Sequence, residues 1–292
     1  MKHDFSGLAV ALATPFTPSG DVDLDAFRKL VRHVRDGGCD VLVPLGSTGE
    51  AATLLEHERD RIISACLEEA GDLPVVAGTG SNSTAQAAAW TRRAQELGVR
   101  GALVVTPYYN KPVVAGLIAH YEACAAAAPG LPMIVYNVPG RTGLNLTPAA
   151  LARLWENPAV VAVKESSGNI AQIAEIARTL PKGKQLLSGD DGLALAVIAC
   201  GGVGLVSVVG NVVPKETKRL IDAASEGDLS TAQSLQAKLL PLIDALFCES
   251  NPIPLKAALR LRGLGSDHVR LPLTRAETST RARLTAVLAA FD

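Results

Sequence analysis

Lys164 closes the run Val160-Val161-Ala162-Val163-Lys164, an apolar stretch with no other charge, and a buried ammonium at its end is costly to hold. Desolvation lowers the pKa of such a lysine and frees the amine to attack a carbonyl. The blander alternative pairs it with the adjacent Glu165. Position at the end of an apolar strand favours the nucleophile, whereas the other nine lysines fall in polar loops or on helices, where their ammonium groups can snorkel to water. Tyr136 sits in the preceding apolar run, Ile134-Val135-Tyr136-Asn137. Making an imine moves protons on and off a carbinolamine, and a phenol can carry them. The alternative is a core tyrosine bonded to backbone. Gly46-Ser47-Thr48-Gly49-Glu50 offers two hydroxyls and two glycines where a strand turns into a helix. Amides at that helix start could hold the carboxylate of a 2-oxo acid. It could equally be a tight turn with a capped helix, and without a lysine after its last glycine it is no phosphate loop. Asp190-Asp191 raises the thought of a metal, but a helix expected from Gly192 makes both of them caps, and no catalytic role is assigned to them.

These residues need a scaffold that gathers strand ends. Short apolar runs alternate with helix-period stretches along the chain, the pattern of parallel strands covered by helices. The expected strands are 8–14, 41–45, 75–78, 102–106, 133–137, 160–164, 185–188 and 204–209. Asp23, Ser83 and Thr147-Pro148 mark helix starts. Eight such units point to an α/β fold, a closed (β/α)8 TIM barrel over 1–226 more than an open doubly wound sheet. From Gly227-Asp228 the pattern changes to three helix-period stretches, near 229–246, 252–262 and 275–290, which form a C-terminal three-helix domain over 227–292. Gly46–Glu50, Pro107-Tyr108-Tyr109 and Pro139-Gly140-Arg141 all follow strands, on the rim where barrels of this kind build active sites.

The 292 residues exceed the roughly 250 of a bare barrel, consistent with that appendage. A net charge of -1 excludes the basic footprint of a nucleic-acid or anionic-membrane binder. No apolar run has the length of a membrane span, and Met1-Lys2-His3-Asp4 lacks the apolar core of a signal peptide, so a cytoplasmic protein is expected. The five cysteines, at 39, 66, 124, 200 and 248, form no CxxC pair and are expected as reduced core thiols. With the five histidines equally scattered, no metal is expected.

Taken together, GSTGEAATL (46–54), TPYYN (106–110), YNVPGRTG (136–143), KESSGN (164–169) and SGDD (188–191) resemble the dihydrodipicolinate synthase/N-acetylneuraminate lyase family, in order along essentially the whole chain, from Thr14-Pro15-Phe16 to Asn251-Pro252-Ile253-Pro254. The resemblance implies a Schiff base at Lys164, with Tyr136 as proton donor. It makes Ser47 the hydroxyl that relays protons between Tyr136 and Tyr109, the latter arriving from a neighbouring subunit. Thr48, Gly189 and the backbone at Val206 would bind pyruvate, and Arg141 the carboxylate of aspartate semialdehyde. No cofactor is implied, and the assembly would be a homotetramer made of two tight dimers. Serine at 47 replaces the threonine usual in the synthases but keeps the hydroxyl. A sibling lyase acting on a sialic acid or a 2-keto-3-deoxy sugar acid is the alternative enzyme. Arg141 argues against it, since a guanidinium fork suits a second carboxylate better than sugar hydroxyls. A catalytically silent barrel acting as a metabolite sensor is the third possibility. The family's lysine-sensitive members bind that effector near the loops after strands two and three. Tyr108 and Asn82 are retained here, but Gln86 replaces a glutamate, Glu56 and Arg59 replace two histidines, and Ala51 replaces a serine.

Overall fold

The apolar runs form eight parallel strands, β1 (Gly7–Ala11), β2 (Val41–Val43), β3 (Val76–Gly78), β4 (Gly101–Val105), β5 (Met133–Asn137), β6 (Val160–Glu165), β7 (Gln185–Ser188) and β8 (Gly204–Ser207), in a computed structural model that describes residues 4–291. Met1–His3, most of the stretch read as lacking a signal-peptide core, lie outside the described residues. The ladder runs β2-β1-β8-β7-β6-β5-β4-β3, and a parallel bridge between Leu42 and Val75 joins its two ends into a barrel.

Side-chain alternation divides the apolar residues into two sets. Ala9, Ala11, Val41, Val43, Leu103, Ile134, Ala162, Leu187 and Val206 fill the interior of the barrel. Leu8, Val10, Leu42, Val104, Val135, Val163 and Leu186 face outward into the layer of helices. Phe5 lies across the amino-terminal ends of the strands, where its amide bonds to the Gln185 side chain at 3.1 Å and its ring abuts Gly101.

The expected helix starts are capped. Asp23 accepts from the Ala26 amide at 2.9 Å and Thr147 from the Ala150 amide at 3.2 Å, while Ser83 accepts from Gln86. Past Gly227, which takes a φ of 83° that ends the preceding helix, Asp228 caps the helix Leu229–Leu246. The helices Ile253–Leu261 and Thr278–Leu288 follow, and the apolar residues of all three belong to the same cluster as those under the barrel's helices.

One expectation needs correction. The cysteines are all free, and Cys39, Cys66 and Cys124 are buried, with burial pushing the Cys39 thiol up to about 12 and Cys124 to about 11. Cys200 is only half-buried, however, and Cys248 is exposed, because it lies beyond the last turn of Leu229–Leu246 rather than inside it. Among the described residues no helix is long and apolar enough to cross a membrane.

Candidate active site

Strand register brings the two principal candidates side by side. Tyr136 is paired with Lys164 across β5 and β6, and both share the inward face with Ile134 and Ala162. The Lys164 ammonium lies 4.2 Å from the centre of the Tyr136 ring, and the residues are 5% and 7% exposed. Glu165 points to the opposite face. There its carboxylate accepts from Asn137 Nδ2 at 2.9 Å and the Ser167 amide at 2.7 Å. The alternation of the strand therefore removes the lysine–glutamate pair that sequence allowed. Gly189, just after β7, makes the space for Lys164, since a Cβ on it would lie 2.7 Å from Lys164 Cε and 2.9 Å from Cγ. The same Cβ would collide with the Ser166 hydroxyl, which is buried and has no hydrogen-bond partner among the described residues. Val206 lies one residue beyond the last β7–β8 pair, Ser188 with Leu205, on the interior face.

The Gly46–Glu50 segment is correctly placed but differently built. It does not open an α-helix. It is a succession of turns ending in a single 3-10 turn, Ala51–Thr53, and the helix begins only at Glu56. The cause is backbone conformation: Leu45 and Glu50 take φ values of 63° and 53°, neither compatible with helix. The amides of Gly49, Glu50 and Ala51 turn back onto the Gly46 and Ser47 carbonyls. Those of Ser47 and Thr48 have no partner among the described residues. Amides free to hold a carboxylate are thus present, supplied by the turn and not by a helix end. The Thr48 hydroxyl accepts from Asn251 Nδ2 at 2.9 Å.

A cavity of about 380 Å³ opens at this rim, lined among others by Ser47, Tyr108, Tyr136, Val138 and Arg141. Lys164, 4.2 Å from the centre of the Tyr136 ring, is not part of the lining. Arg141 is exposed and spends one nitrogen on the Asn251 carbonyl at 2.9 Å. Tyr109 is 88% exposed, with a φ of 72°, and does not reach this cavity in its own chain. Its loop is fixed on both sides: its amide donates to the Thr142 carbonyl at 3.3 Å, and Asn110 Nδ2 donates to the Asn82 carbonyl at 2.9 Å.

Asp190 caps as expected, accepting from the Gly192 amide at 2.9 Å, although it starts only a 3-10 turn. Asp191 is no cap. It is 2% exposed and binds the end of β8 through the Ser207 hydroxyl and the Val208 and Val209 amides, and burial raises its pKa against those donors.

Two residues near the site escaped the sequence reading. Asn251 joins Thr48 to Arg141, and Lys256 is 1% exposed, which corrects the expectation that every other lysine reaches water. The signal was present in Ile253-Pro254-Leu255-Lys256-Ala257-Ala258-Leu259, a lone lysine in an apolar run, the same feature that singled out Lys164.

Over residues 4–291 the chain matches the dihydrodipicolinate synthetase family. A 4-hydroxy-tetrahydrodipicolinate synthase of Geobacter sp. (strain M21) is 47% identical over 285 residues, 97% of this chain and 98% of that protein. Among solved structures, the dihydrodipicolinate synthase of Cyanidioschyzon merolae with lysine bound superposes with a TM-score of 0.95 at 41% identity, covering 99% of each chain. The chloride-inhibited dihydrodipicolinate synthase of Acinetobacter baumannii complexed with pyruvate gives 0.95 at 39%, covering 98% of this chain and 99% of that one. An inward lysine–tyrosine pair in a closed eight-stranded barrel, with whole-length likeness to these enzymes, identifies the chain as a member of the dihydrodipicolinate synthetase family.

Proposed function

We propose that this chain is a Schiff-base enzyme that condenses pyruvate with L-aspartate 4-semialdehyde to give 4-hydroxy-tetrahydrodipicolinate, the entry into diaminopimelate and lysine synthesis. The observation that carries the reading is the register pairing of Tyr136 with Lys164 inside the barrel. The Lys164 amine attacks C2 of pyruvate, and the carbinolamine loses water, with Tyr136 passing the protons, to leave an imine. Loss of a methyl proton gives the enamine, whose carbon attacks the aldehyde, and the aldehyde oxygen takes up a proton. The amino group of the second substrate then adds to C2 and expels the lysine, closing the ring. Ser47 and Tyr109 serve as the proton relay, Tyr109 coming from a partner. Thr48, Val206 and Gly189 shape the pyruvate end, where the free amides of Ser47 and Thr48 suit its carboxylate. The reading treats 1–226 as the catalytic barrel and 227–292 as a helical domain, and it describes a cytoplasmic homotetramer of two tight dimers. A coupled assay with pyruvate and aspartate semialdehyde is expected to show turnover. Cleavage of sialic or 2-keto-3-deoxy sugar acids without that condensation would overturn it.

The free arm of Arg141 is suited to the second carboxylate. Arg141→Ala is expected to raise the KM for aspartate semialdehyde at least about tenfold, since a charge-assisted hydrogen bond contributes about 1.5–3 kcal/mol, while the KM for pyruvate changes little. Equal changes in both would make the arginine structural.

Feedback by L-lysine is expected to be weak. Arg59 is 4% exposed, stacks 3.8 Å over the Trp90 ring and donates to the Gly78 carbonyl at 2.7 Å and the Ala51 carbonyl at 3.3 Å. Burial draws its pKa down only to about 10, so a fixed cation stands there at neutral pH. Gln86, bonded to the Ser81 hydroxyl at 2.7 Å, offers no carboxylate to an incoming ammonium. Half-inhibition below about 1 mM, roughly 4 kcal/mol of binding, in a lysine titration would show these substitutions to be harmless.

A further inference from the structure

Lys256 is a deeply buried charge near the site, 1% exposed, and no step of the reaction uses it. Its ammonium, on the helix Ile253–Leu261, is paired with the Glu50 carboxylate, the two side chains being 1% and 2% exposed. It also donates to the His268 carbonyl at 2.8 Å and lies 3.8 Å over the Phe16 ring. Burial pulls its pKa down to about 8 against the opposing pull of Glu50.

Glu50 is the last residue of the turn that carries Ser47 and Thr48, and its φ of 53° is uncommon for a residue with a side chain and must be held from outside. Its second oxygen accepts from the Arg270 amide at 2.9 Å. The Arg270 guanidinium extends the hold, reaching Glu58 at 2.7 and 2.5 Å, the Thr53 carbonyl at 2.8 Å and the Gly20 carbonyl at 2.9 Å. Together with the bond from Asn251 to Thr48, the segment 251–270 grips this turn at both of its functional ends.

We propose that Lys256 is a positioning residue for the condensation: by pairing with Glu50 inside the protein it fixes the left-handed turn that presents the Ser47 hydroxyl and the Ser47 and Thr48 amides to the reacting keto acid. The C-terminal helices thereby set the geometry of a site built on the barrel. This rests on the reaction proposed above. An uncharged, well-packed pair could fill the same space, and buried ion pairs are often no more stabilising than such a replacement. Retaining charge here gives the turn a directional anchor that apolar packing lacks. Displacing catalytic groups by about 1 Å can cost roughly a hundredfold in rate.

The test compares stability with turnover per folded molecule. Lys256→Met leaves Glu50 buried and unpaired and lowers the melting temperature. Lys256→Met/Glu50→Leu removes both charges, and its melting temperature is expected to return toward that of the parent. The double variant should still show a kcat roughly tenfold to a hundredfold below the parent, while borohydride and pyruvate still label Lys164. If the double variant does not fold, Lys256→Met/Glu50→Gln, which keeps the shape of Glu50 and also removes both charges, gives the same comparison. Parental kcat per folded molecule in either variant overturns the positioning role and leaves the ion pair a matter of stability alone. Failure of the parent itself to be labelled or to turn over would instead strike the proposed reaction.

Discussion

Lys164→Ala is expected to lose roughly 10⁴-fold or more in kcat, as enzymes do when a covalent nucleophile is removed, with the fold intact. In the parent, borohydride with pyruvate should inactivate the enzyme and add one reduced adduct per chain, on the peptide that contains Lys164. The protein supplies its own control, because two lysines among the described residues are buried, Lys164 and Lys256. Lys256 is charge-paired with Glu50 and bonded to a carbonyl, so its nitrogen is already engaged. Lys164 has no carboxylate within ion-pair distance among the described residues, and its ammonium lies 4.2 Å from the centre of the Tyr136 ring, beside Gly189. Removing the lysine side chain also leaves a void in the barrel, so the variant should be somewhat less stable. The missing turnover is therefore measured well below its melting temperature. Peptide mass spectrometry decides the matter: an adduct on Lys256 or any other lysine, or none on the folded protein, would sink the Schiff-base mechanism.

How far this arrangement could be read in advance depended on which physical signal each residue leaves in the sequence. β5 and β7 coincide with their expected limits, 133–137 and 185–188, each closing on a polar residue, Asn137 or Ser188, that still pairs across the ladder. β1 was expected to reach Thr14 but stops at Ala11. Leu12 to Thr14 are fully buried, yet the Ala13 amide bonds to the Asn211 side chain at 3.1 Å instead of to a neighbouring strand. Apolarity reports burial, not pairing. Lys164 and Tyr136 were legible because one charge and one phenol interrupt apolar strands. The form of the Ser47–Thr48 turn was not, because its positive φ angles fall on Leu45 and Glu50, where no glycine announces them. What Lys256 and Asn251 bind was hidden for a different reason. Their partners lie some two hundred residues away, and only the closed fold brings Glu50 and Thr48 to them.

Tyr109→Phe is expected to reduce kcat by roughly a hundredfold, within the range ascribed to a group that moves protons, while pyruvate binding and imine trapping at Lys164 are largely retained. The bonds of its own chain fix the backbone of this tyrosine but leave its ring exposed. It is a large aromatic residue, 88% exposed, held at a φ of 72° by a loop bonded to Thr142 on one side and to Asn82 on the other. A fixed loop that projects a ring away from its own cavity is suited to completing a second copy's site across a two-fold axis, where each chain gives what it receives. That geometry makes a sharp demand on mixtures. Lys164→Ala chains lack the nucleophile but carry Tyr109, and Tyr109→Phe chains carry the nucleophile but lack the relay. In a hybrid dimer one site has neither group and the other has both, so equal mixing with free exchange should restore up to about a quarter of parental activity. If each tyrosine served its own chain, every Lys164-bearing site would still lack it, and mixing would restore nothing. Native mass spectrometry can establish that hybrids form. Hybrids without recovered activity would place Tyr109 outside the relay of a partner.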